Sequence, residues 1–255
     1  RLAPDEIKDA KLPVMVWIHG GANKVGGASA TRSYNIAGKG NVIVVSLQYR
    51  LGLMGWFSHP ALRDTAEVPM DATSNFAILD MVAALQWVKD NAAAFGGDPD
   101  NVTIFGQSAG AFDIYGLLAA PQAKGLFHRA IAQSGNIQTV PQADAENYLD
   151  DDAAPGQPDS FREIINKLLV VDGKALNRAA AKGVQDAMSN EQLAAYLRGM
   201  TAEQLFAAVQ RRVGLGYFSP TKIRDGIVFP EQSLREVFAD PERYNAVPLI
   251  VETPV

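Results

Sequence analysis

Five short apolar runs, rich in β-branched residues, recur along the chain and alternate with stretches of helical pattern. They cover residues 14–18, 42–47, 102–105, 130–132 and 247–251. Apolar runs of this length are typical of strands buried in a parallel sheet. Strands that alternate with helices predict a sheet whose two faces are both covered by helices. This alternation predicts an α/β, doubly wound fold with a mainly parallel sheet.

The clearest helical stretch spans residues 75–95, where apolar residues recur along one face. Ser74 precedes this stretch and predicts an N-cap, and the glycines of "GGDP" (96–99) predict the end of the helix. A second helix is predicted over residues 109–118. Both helices lie between predicted strands, as the α/β interpretation requires.

After about residue 150 the pattern becomes mainly helical. Three pairs have the capping-box spacing ahead of an apolar helix: Ser160 with Glu163, Ser189 with Gln192, and Thr201 with Gln204. We interpret residues 160–213 as a helical insertion in a single α/β domain that spans residues 1–255, with a small independent helical domain as the alternative. Further on, Asp225–Gly226 predicts a tight hairpin turn.

The composition narrows the classes of function. The chain is 47% hydrophobic and 20% charged, with a formal net charge of -5, which is typical of a soluble globular protein. A nucleic-acid partner would require a basic face, and a membrane span would require about 18 consecutive apolar residues; the sequence predicts neither. Zero cysteines exclude disulfides and thiolate metal sites, and the three histidines lack ligand spacing. No metal or cofactor is therefore implied.

The segment "VTIFGQSAGA" (102–111) places Ser108 in a glycine–x–serine–x–glycine pattern between a predicted strand and a predicted helix. This is the context of a nucleophile elbow, in which a sharp turn holds the serine hydroxyl clear of the sheet. The flanking glycines, Gly106 and Gly110, let the strand and the helix approach each other closely. A dinucleotide-binding turn is the alternative, but the full glycine fingerprint and its acidic partner are missing.

A glycine-rich loop lies ninety residues earlier, where "VWIHGGANKVGG" follows the strand at 14–18. His19, Gly20, Gly21 and Ala22 occupy its start. Acyl transfer passes through a tetrahedral oxyanion that is best stabilised by preorganised backbone N–H groups. A loop of this kind can turn several such groups toward one point, and Ala109, directly after the serine, would add another. Together, the loop and the elbow predict a hydrolase active site.

These segments resemble the type-B carboxylesterases, the cholinesterase-like branch of the α/β hydrolases. The resemblance covers nearly the whole chain and runs in the order of that family. It is carried by "LPVMVWIHGGA" (12–22), "VIVVSLQYRLGLMGWF" (42–57), "NFAILDMVAALQWVKDNAAAFGGDPDNVTIFGQSAGA" (75–111), "GLFHRAIAQSG" (125–135), "RDGIVFP" (224–230) and "NAVPLIV" (245–251).

The resemblance implies a serine carboxylic-ester hydrolase, of class EC 3.1.1, that acts on small-molecule esters without a cofactor. Ser108 is implied as the nucleophile. Gly21, Ala22 and Ala109 are implied as oxyanion-hole donors, with Gly20 supporting the loop. The alternative, a non-catalytic cholinesterase-like binding or adhesion module, is disfavoured because such relatives lose the serine.

Two positions depart from the family pattern. Ala22 stands where the family has a third glycine, and its methyl group narrows the site. Gln107, which supports the elbow together with Gly106 and Gly110, stands where the eukaryotic branch usually has Glu. A carboxylate there would favour cationic substrates, so Gln107 disfavours a choline ester.

The resemblance does not provide a general base or a catalytic acid within this chain. In α/β hydrolases the chain order is Ser, then Asp or Glu, then His. His19 and His59 precede Ser108, and His128 lies in a segment that leads into the next strand. Glu252 is interpreted as a strand-end residue, although a natural chain of 255 residues with an unrecognised base is an alternative. We therefore expect a fragment, incomplete at both termini and nearly inactive, that self-associates through exposed sheet edges.

Overall fold

The computed structural model describes residues 10–30, 33–209 and 219–253, and the chain divides into two compact units. Unit 1 comprises Arg1–Arg50, Ala77–Gln138 and Gln232–Val255, and unit 2 comprises Leu51–Phe76 and Thr139–Glu231. The single domain with an insertion stays a prediction, and the end of that insertion, 210–213, lies outside the described residues. Within the described ranges, no helix is both long and apolar enough to cross a membrane.

Seven strands form two parallel sheets in the described part of the chain. Five strands of unit 1 pair in the order β2-β1-β3-β4-β7, and β5 pairs with β6 in unit 2. The predicted α/β fold with a mainly parallel sheet is confirmed. The strands are β1 (Leu12–Ile18), β2 (Ile43–Ser46), β3 (Gly97–Gln107), β4 (Arg129–Gln133), β5 (Val140–Pro141), β6 (Ile223–Arg224) and β7 (Leu249–Glu252).

The strand order of the larger sheet reverses between β1 and β3. From β1 the chain builds outward to β2 on one side, and then returns to place β3, β4 and β7 successively on the other side. The segments that leave the carboxyl ends of the two strands run to opposite sides at such a switch point, and ligands of open α/β sheets bind in the crevice between them. The segments that follow β1 and β3 are the glycine loop and the Ser108 turn, so both predicted site segments begin at this point.

Burial differs between the central strands and the two edge strands. In β1 the side chains of Val14, Val16 and Ile18 alternate into the core. The prediction of buried strands at 42–47 and 247–251 is wrong, because β2 is half-buried along its length and all four residues of β7 are exposed. Each of these strands has only one neighbouring strand in the described sheet, so each exposes more surface than a central strand does.

Ten α-helices lie in the described residues. They are α1 (Tyr34–Gly40), α2 (Pro60–Asp64), α3 (Phe76–Asn91), α4 (Ala109–Ala119), α5 (Gln142–Glu146), α6 (Phe161–Val171), α7 (Arg178–Ala187), α8 (Asn190–Arg198), α9 (Ala202–Ala207) and α10 (Leu234–Val237).

The helix predicted over residues 75–95 is confirmed as α3, which continues into a 3₁₀ turn at Ala92–Phe95. Gly96 ends the turn with a left-handed φ of 80°, as the glycine signal predicted. The prediction that Ser74 caps the helix is wrong. Its hydroxyl donates instead to the Ser58 hydroxyl at 2.6 Å, because Ser74 is buried beside that residue in unit 2.

The helix caps predicted at Ser160, Ser189 and Thr201 in unit 2 are present, although only two of them form complete capping boxes. Ser189 and Thr201 form complete capping boxes with Gln192 and Gln204. Ser160 caps α6, but Glu163 does not reciprocate, because its carboxylate is bound by Leu149 N–H and by Arg178.

The hairpin predicted at Asp225–Gly226 is also wrong. Residues 223–224 form β6, which pairs in parallel with β5, and among the described residues no antiparallel strand follows the turn. The turn itself exists, with Gly226 at a φ of 72°. One carboxylate oxygen of Asp225 accepts hydrogen bonds from the backbone N–H groups of Ile227, Val228 and Phe229, and this local bonding competes with strand formation.

Candidate active site

Ser108 lies in a sharp turn between β3 and α4. Its backbone has φ 55° and ψ -123°, a conformation that L-residues rarely adopt and that costs on the order of 1–3 kcal/mol. Its N–H donates to the Gln133 carbonyl at the end of β4, at 2.9 Å, which holds the turn in place. Among the described residues, its hydroxyl has no hydrogen-bond partner, and the residue is only half-buried. The hydroxyl is therefore available to a bound molecule.

Gly106 and Gly110 allow the turn to pack against the end of β1. A Cβ atom built on Gly110 would lie 2.1 Å from the Ile18 carbonyl oxygen, and one on Gly106 would lie 2.7 Å from the same atom. Both distances are far below van der Waals contact with a backbone atom. The close approach of β1 to α4 at this point consequently requires glycine at both positions.

The glycine loop after β1 lies directly against the Ser108 turn. A Cβ atom built on Gly20 would meet the Gln107 carbonyl oxygen at 2.6 Å and the Ser108 Cβ at 3.3 Å. The structure thus brings together two predicted segments that are about ninety residues apart in the chain. Gly20 lies at a contact between them.

The loop then turns through three consecutive residues with positive φ. Gly21, Ala22 and Asn23 have φ values of 117°, 55° and 59°. The Gly21 carbonyl accepts the N–H groups of Lys24 and Val25, each at 3.0 Å, which closes the turn. By contrast, the N–H groups of Gly21, Ala22 and Ala109 donate to no other described residue. Ala109 opens α4, where the first N–H groups of a helix lack intrahelical acceptors.

A buried polar cluster in unit 1 supports this loop, and it was missed at the sequence level. Asn23 Nδ2 donates to Asp113 Oδ1 at 2.9 Å, and the Tyr49 hydroxyl donates to the His19 carbonyl at 2.6 Å. Burial, together with the Asp113 carboxylate, raises the pKa of Tyr49, so this hydroxyl stays protonated and remains a donor. The one available signal was Asp113 itself, a carboxylate within the otherwise apolar α4 segment "AGAFDIYGLLA".

Two of the three histidines lie in unit 1, and both have structural contacts. His19 is buried, its Nδ1 lies 2.8 Å from the Gly20 carbonyl oxygen, and its ring stacks on Tyr49 at 4.4 Å. His128 Nδ1 accepts from Val102 N–H at 3.1 Å. Val102 precedes Ser108 by six residues along β3, which is about 20 Å of extended strand. His128 is thus far from the Ser108 hydroxyl.

His59 belongs to unit 2, where it caps α2. Its Nδ1 accepts from Ala61 N–H at 3.0 Å. Burial, with the Arg162 guanidinium nearby, lowers the pKa of His59 to about 4. The imidazole is therefore neutral at pH 7, and its Nδ1 is occupied by the N-cap hydrogen bond of α2.

Glu252 is the last residue of β7, where its carboxylate accepts from Gln133 Nε2 at 2.9 Å. Its backbone carbonyl accepts from Ser134 N–H. These contacts agree with its interpretation as a strand-end residue.

Comparison with known proteins relates this site to one family. A sequence model described as "Carboxylesterase family" matches residues 2–253. The chain is 36% identical to carboxylesterase 1C of Rattus norvegicus over 247 residues, which is 97% of this chain and 38% of that protein.

Solved structures give the same relation. The structure titled "PNB esterase" is 32% identical to this chain, with a TM-score of 0.68. The match covers 94% of this chain and 45% of the chain of that structure. The crystal structure of a Geobacillus stearothermophilus carboxylesterase at pH 6.2 is 31% identical to this chain, also with a TM-score of 0.68. The match covers 95% of this chain and 44% of the chain of that structure. The chain thus spans about two fifths of the length of the proteins that it matches.

Proposed function

Because the chain belongs to the carboxylesterase family, we propose that it carries the nucleophile and the oxyanion hole of a serine carboxylic-ester hydrolase. Ser108 Oγ attacks the ester carbonyl carbon while a general base takes its proton. The carbonyl oxygen becomes an oxyanion that accepts hydrogen bonds from the N–H groups of Gly21, Ala22 and Ala109. The alcohol leaves with a proton, and water then releases the carboxylic acid from the acyl-serine.

The observation that carries this proposal is the pairing of an unbonded hydroxyl with unbonded amides at one switch point of the sheet. Ser108 projects from a strained turn, and Gly20 brings the glycine loop into contact with that turn. Three N–H groups without acceptors among the described residues lie in these two segments. Buried or half-buried N–H groups are normally paired, so a cluster of unpaired ones favours an anionic group of the substrate.

The general base of this mechanism is none of the three histidines of this chain. His19 and His128 make the contacts described above, and His59 is the cap of α2. We propose that the base and its acid come from sequence beyond these 255 residues. Loss of the histidine of a serine triad costs about 10⁶ in kcat. The 255-residue chain by itself is therefore expected to be nearly inactive.

The proposed substrates are uncharged carboxylic esters. Gln107 is exposed beside the nucleophile and has no charge with which to attract a cationic alcohol group. Ala22 carries a methyl group next to its own proposed oxyanion-donor N–H, and we expect this group to favour a compact acyl group.

The test is ester hydrolysis by the full-length gene product that carries these residues. We expect hydrolysis of p-nitrophenyl butyrate by the wild type and loss of about 10⁴-fold or more in kcat for Ser108→Ala, since the nucleophile is removed. A fluorophosphonate probe should label the peptide that contains Ser108, as read by mass spectrometry.

Ser134→Ala is the matched control. Ser134 follows the neighbouring strand β4 and also has a positive φ, of 57°, but the mechanism gives it no role. Its variant should keep kcat within a few-fold. A full-length protein that folds but neither hydrolyses esters nor labels at Ser108 would contradict the proposal and would favour a binding or adhesion module.

A further inference from the structure

A buried hydrogen bond joins the glycine loop to the helix that follows Ser108. Asn23 Nδ2 donates to Asp113 Oδ1 at 2.9 Å, and both side chains are almost fully buried, at 2% and 0% exposed. The Tyr49 hydroxyl lies 3.4 Å from Asn23 Oδ1, so the amide oxygen also faces a polar neighbour. A buried carboxylate is rare and costly unless it is bonded, so its presence here requires a reason.

The loop needs an external restraint, because its backbone is strained. Gly21, Ala22 and Asn23 all have positive φ, and two of the three carry a Cβ atom. Such a conformation costs on the order of 1–3 kcal/mol per non-glycine residue and persists only where its surroundings enforce it. The hydrogen bond from Asn23 acts on the last of these three residues. It therefore holds the loop at the end farthest from its contact with Ser108.

The acceptor of this bond lies on a rigid element. Asp113 follows Ser108 by five residues in α4, in which every residue except Phe112 is buried. Ser108 and Ala109 stand at the start of the same helix. A bond from Asn23 to Asp113 consequently fixes the loop relative to the nucleophile and to the third proposed oxyanion donor. The donors act only when they lie about 2.7–3.1 Å from the position that the oxyanion takes, and the surroundings must hold that geometry to within about 0.5 Å.

We infer that Asn23 and Asp113 form a positioning pair that sets the distance between the loop amides and Ser108. This inference rests on the proposed esterase function and deepens it. Neither side chain touches the reacting atoms. The pair acts on the transition state through the Gly21 and Ala22 amides, so it affects kcat rather than KM.

Asn23→Gly removes the side chain and adds no backbone strain, since glycine adopts a positive φ freely. The loop amides should then move away from the oxyanion, with a loss of about 10²-fold in kcat for p-nitrophenyl butyrate and a KM within about threefold. The exchanged pair Asn23→Asp with Asp113→Asn restores a hydrogen bond between the two positions. Its kcat should return to within about fivefold of the wild type.

Asn245→Ala is the matched control at the opposite end of α4. Asn245 Nδ2 donates to the carbonyls of Leu117 and Ala120, so this variant also loses two partly buried hydrogen bonds to the end of the same helix. We expect a lower Tm but a kcat within about twofold of the wild type. Amide hydrogen exchange of residues 20–24 should rise in Asn23→Gly, fall back in the exchanged pair and stay unchanged in Asn245→Ala.

Two results would overturn the inference by itself: an Asn23→Gly variant with unchanged kcat beside an active wild type, or an exchanged pair no better than Asn23→Gly. Either result would leave Asn23 and Asp113 as contributors to stability only. Absence of Ser108-dependent hydrolysis in the wild type is a separate outcome. It would overturn the proposed function and the catalytic role of the pair together.

Discussion

At the residue scale, single atoms decide whether the turn around Ser108 can exist. Ser108 has an unfavourable φ of 55°. Gly106 and Gly110 have no Cβ atom, which would otherwise clash with the end of β1. The distances at Gly110 are to backbone atoms, which cannot rotate out of the way as a side chain does. The glycines of the glycine–x–serine–x–glycine pattern are thus required because no larger residue fits between the turn and β1.

Gly110→Ala is expected to destabilise the protein by about 3 kcal/mol or more. The new methyl group would lie 2.1 Å from the Ile18 carbonyl oxygen and 3.0 Å from the His19 carbonyl oxygen. Overpacking of this kind typically costs 1–3 kcal/mol when side chains can adjust, and here only backbone surrounds the site. Urea unfolding followed by tryptophan fluorescence measures the change in free energy of unfolding.

Gly183→Ala is the control for this substitution. Gly183 is exposed within α7, and a Cβ atom built there meets nothing within 4 Å. Alanine should stabilise that helix by about 0.5–1 kcal/mol. A cost below about 1 kcal/mol for Gly110→Ala would contradict the close approach described here.

At the element scale, helices of unit 2 begin at specific polar side chains, and one of these side chains titrates. His59 caps α2 as a buried neutral imidazole, and Pro60 occupies the first position of the helix. Burial lowers the pKa of His59 to about 4, whereas an unfolded histidine has a pKa near 6.5. Protonation therefore favours the unfolded chain.

The stability that neutral His59 contributes is complete above about pH 6.5 and is lost as the pH falls toward 4. Linkage gives a loss of about 2 kcal/mol between pH 7.5 and pH 5 for this group. His59→Asn keeps an N-cap oxygen but does not titrate. Urea unfolding at the two pH values should show a smaller loss for the variant, by about that amount. Equal losses for the two proteins would contradict the lowered pKa.

At the scale of the whole molecule, the described chain exposes an apolar strand at one edge of its larger sheet. Leu249, Ile250 and Val251 of β7 are 40%, 63% and 50% exposed. An edge strand presents unpaired N–H and C=O groups, and an apolar one readily pairs with another chain. We expect the 255-residue chain in isolation to self-associate through β7.

Ile250→Lys should shift the isolated chain toward the monomer, because a charge on an edge strand opposes pairing with a second copy. Sedimentation velocity measures the oligomer distribution. Leu176→Lys is the control, because Leu176 is 95% exposed but lies outside any strand. A monomeric wild-type chain, or an Ile250→Lys variant that associates as the wild type does, would contradict the expectation.

The five strands of the larger sheet, the helices α3 and α4, the Ser108 turn and two capping boxes followed from the sequence because each is encoded in a short window. Periodicity, glycine spacing and cap residues act over fewer than about twenty positions. The failures were local patterns overridden by distant partners. Ser74 has the residue type of a cap but bonds to Ser58, and Asp225–Gly226 has a hairpin sequence but is followed by no antiparallel strand in the described part of the chain.

The sequence by itself determined the parallel α/β fold and the identity of the serine turn and the glycine loop. Only the tertiary structure decided that the loop touches the turn through Gly20, and that Asn23 pairs with Asp113 across 90 positions of the chain. The physical reason is that a hydrogen bond between distant residues depends on where the backbone carries them. No short-range pattern specifies where two distant residues meet. A turn or a strand, by contrast, depends on the sterics and the solvent exposure of its own residues.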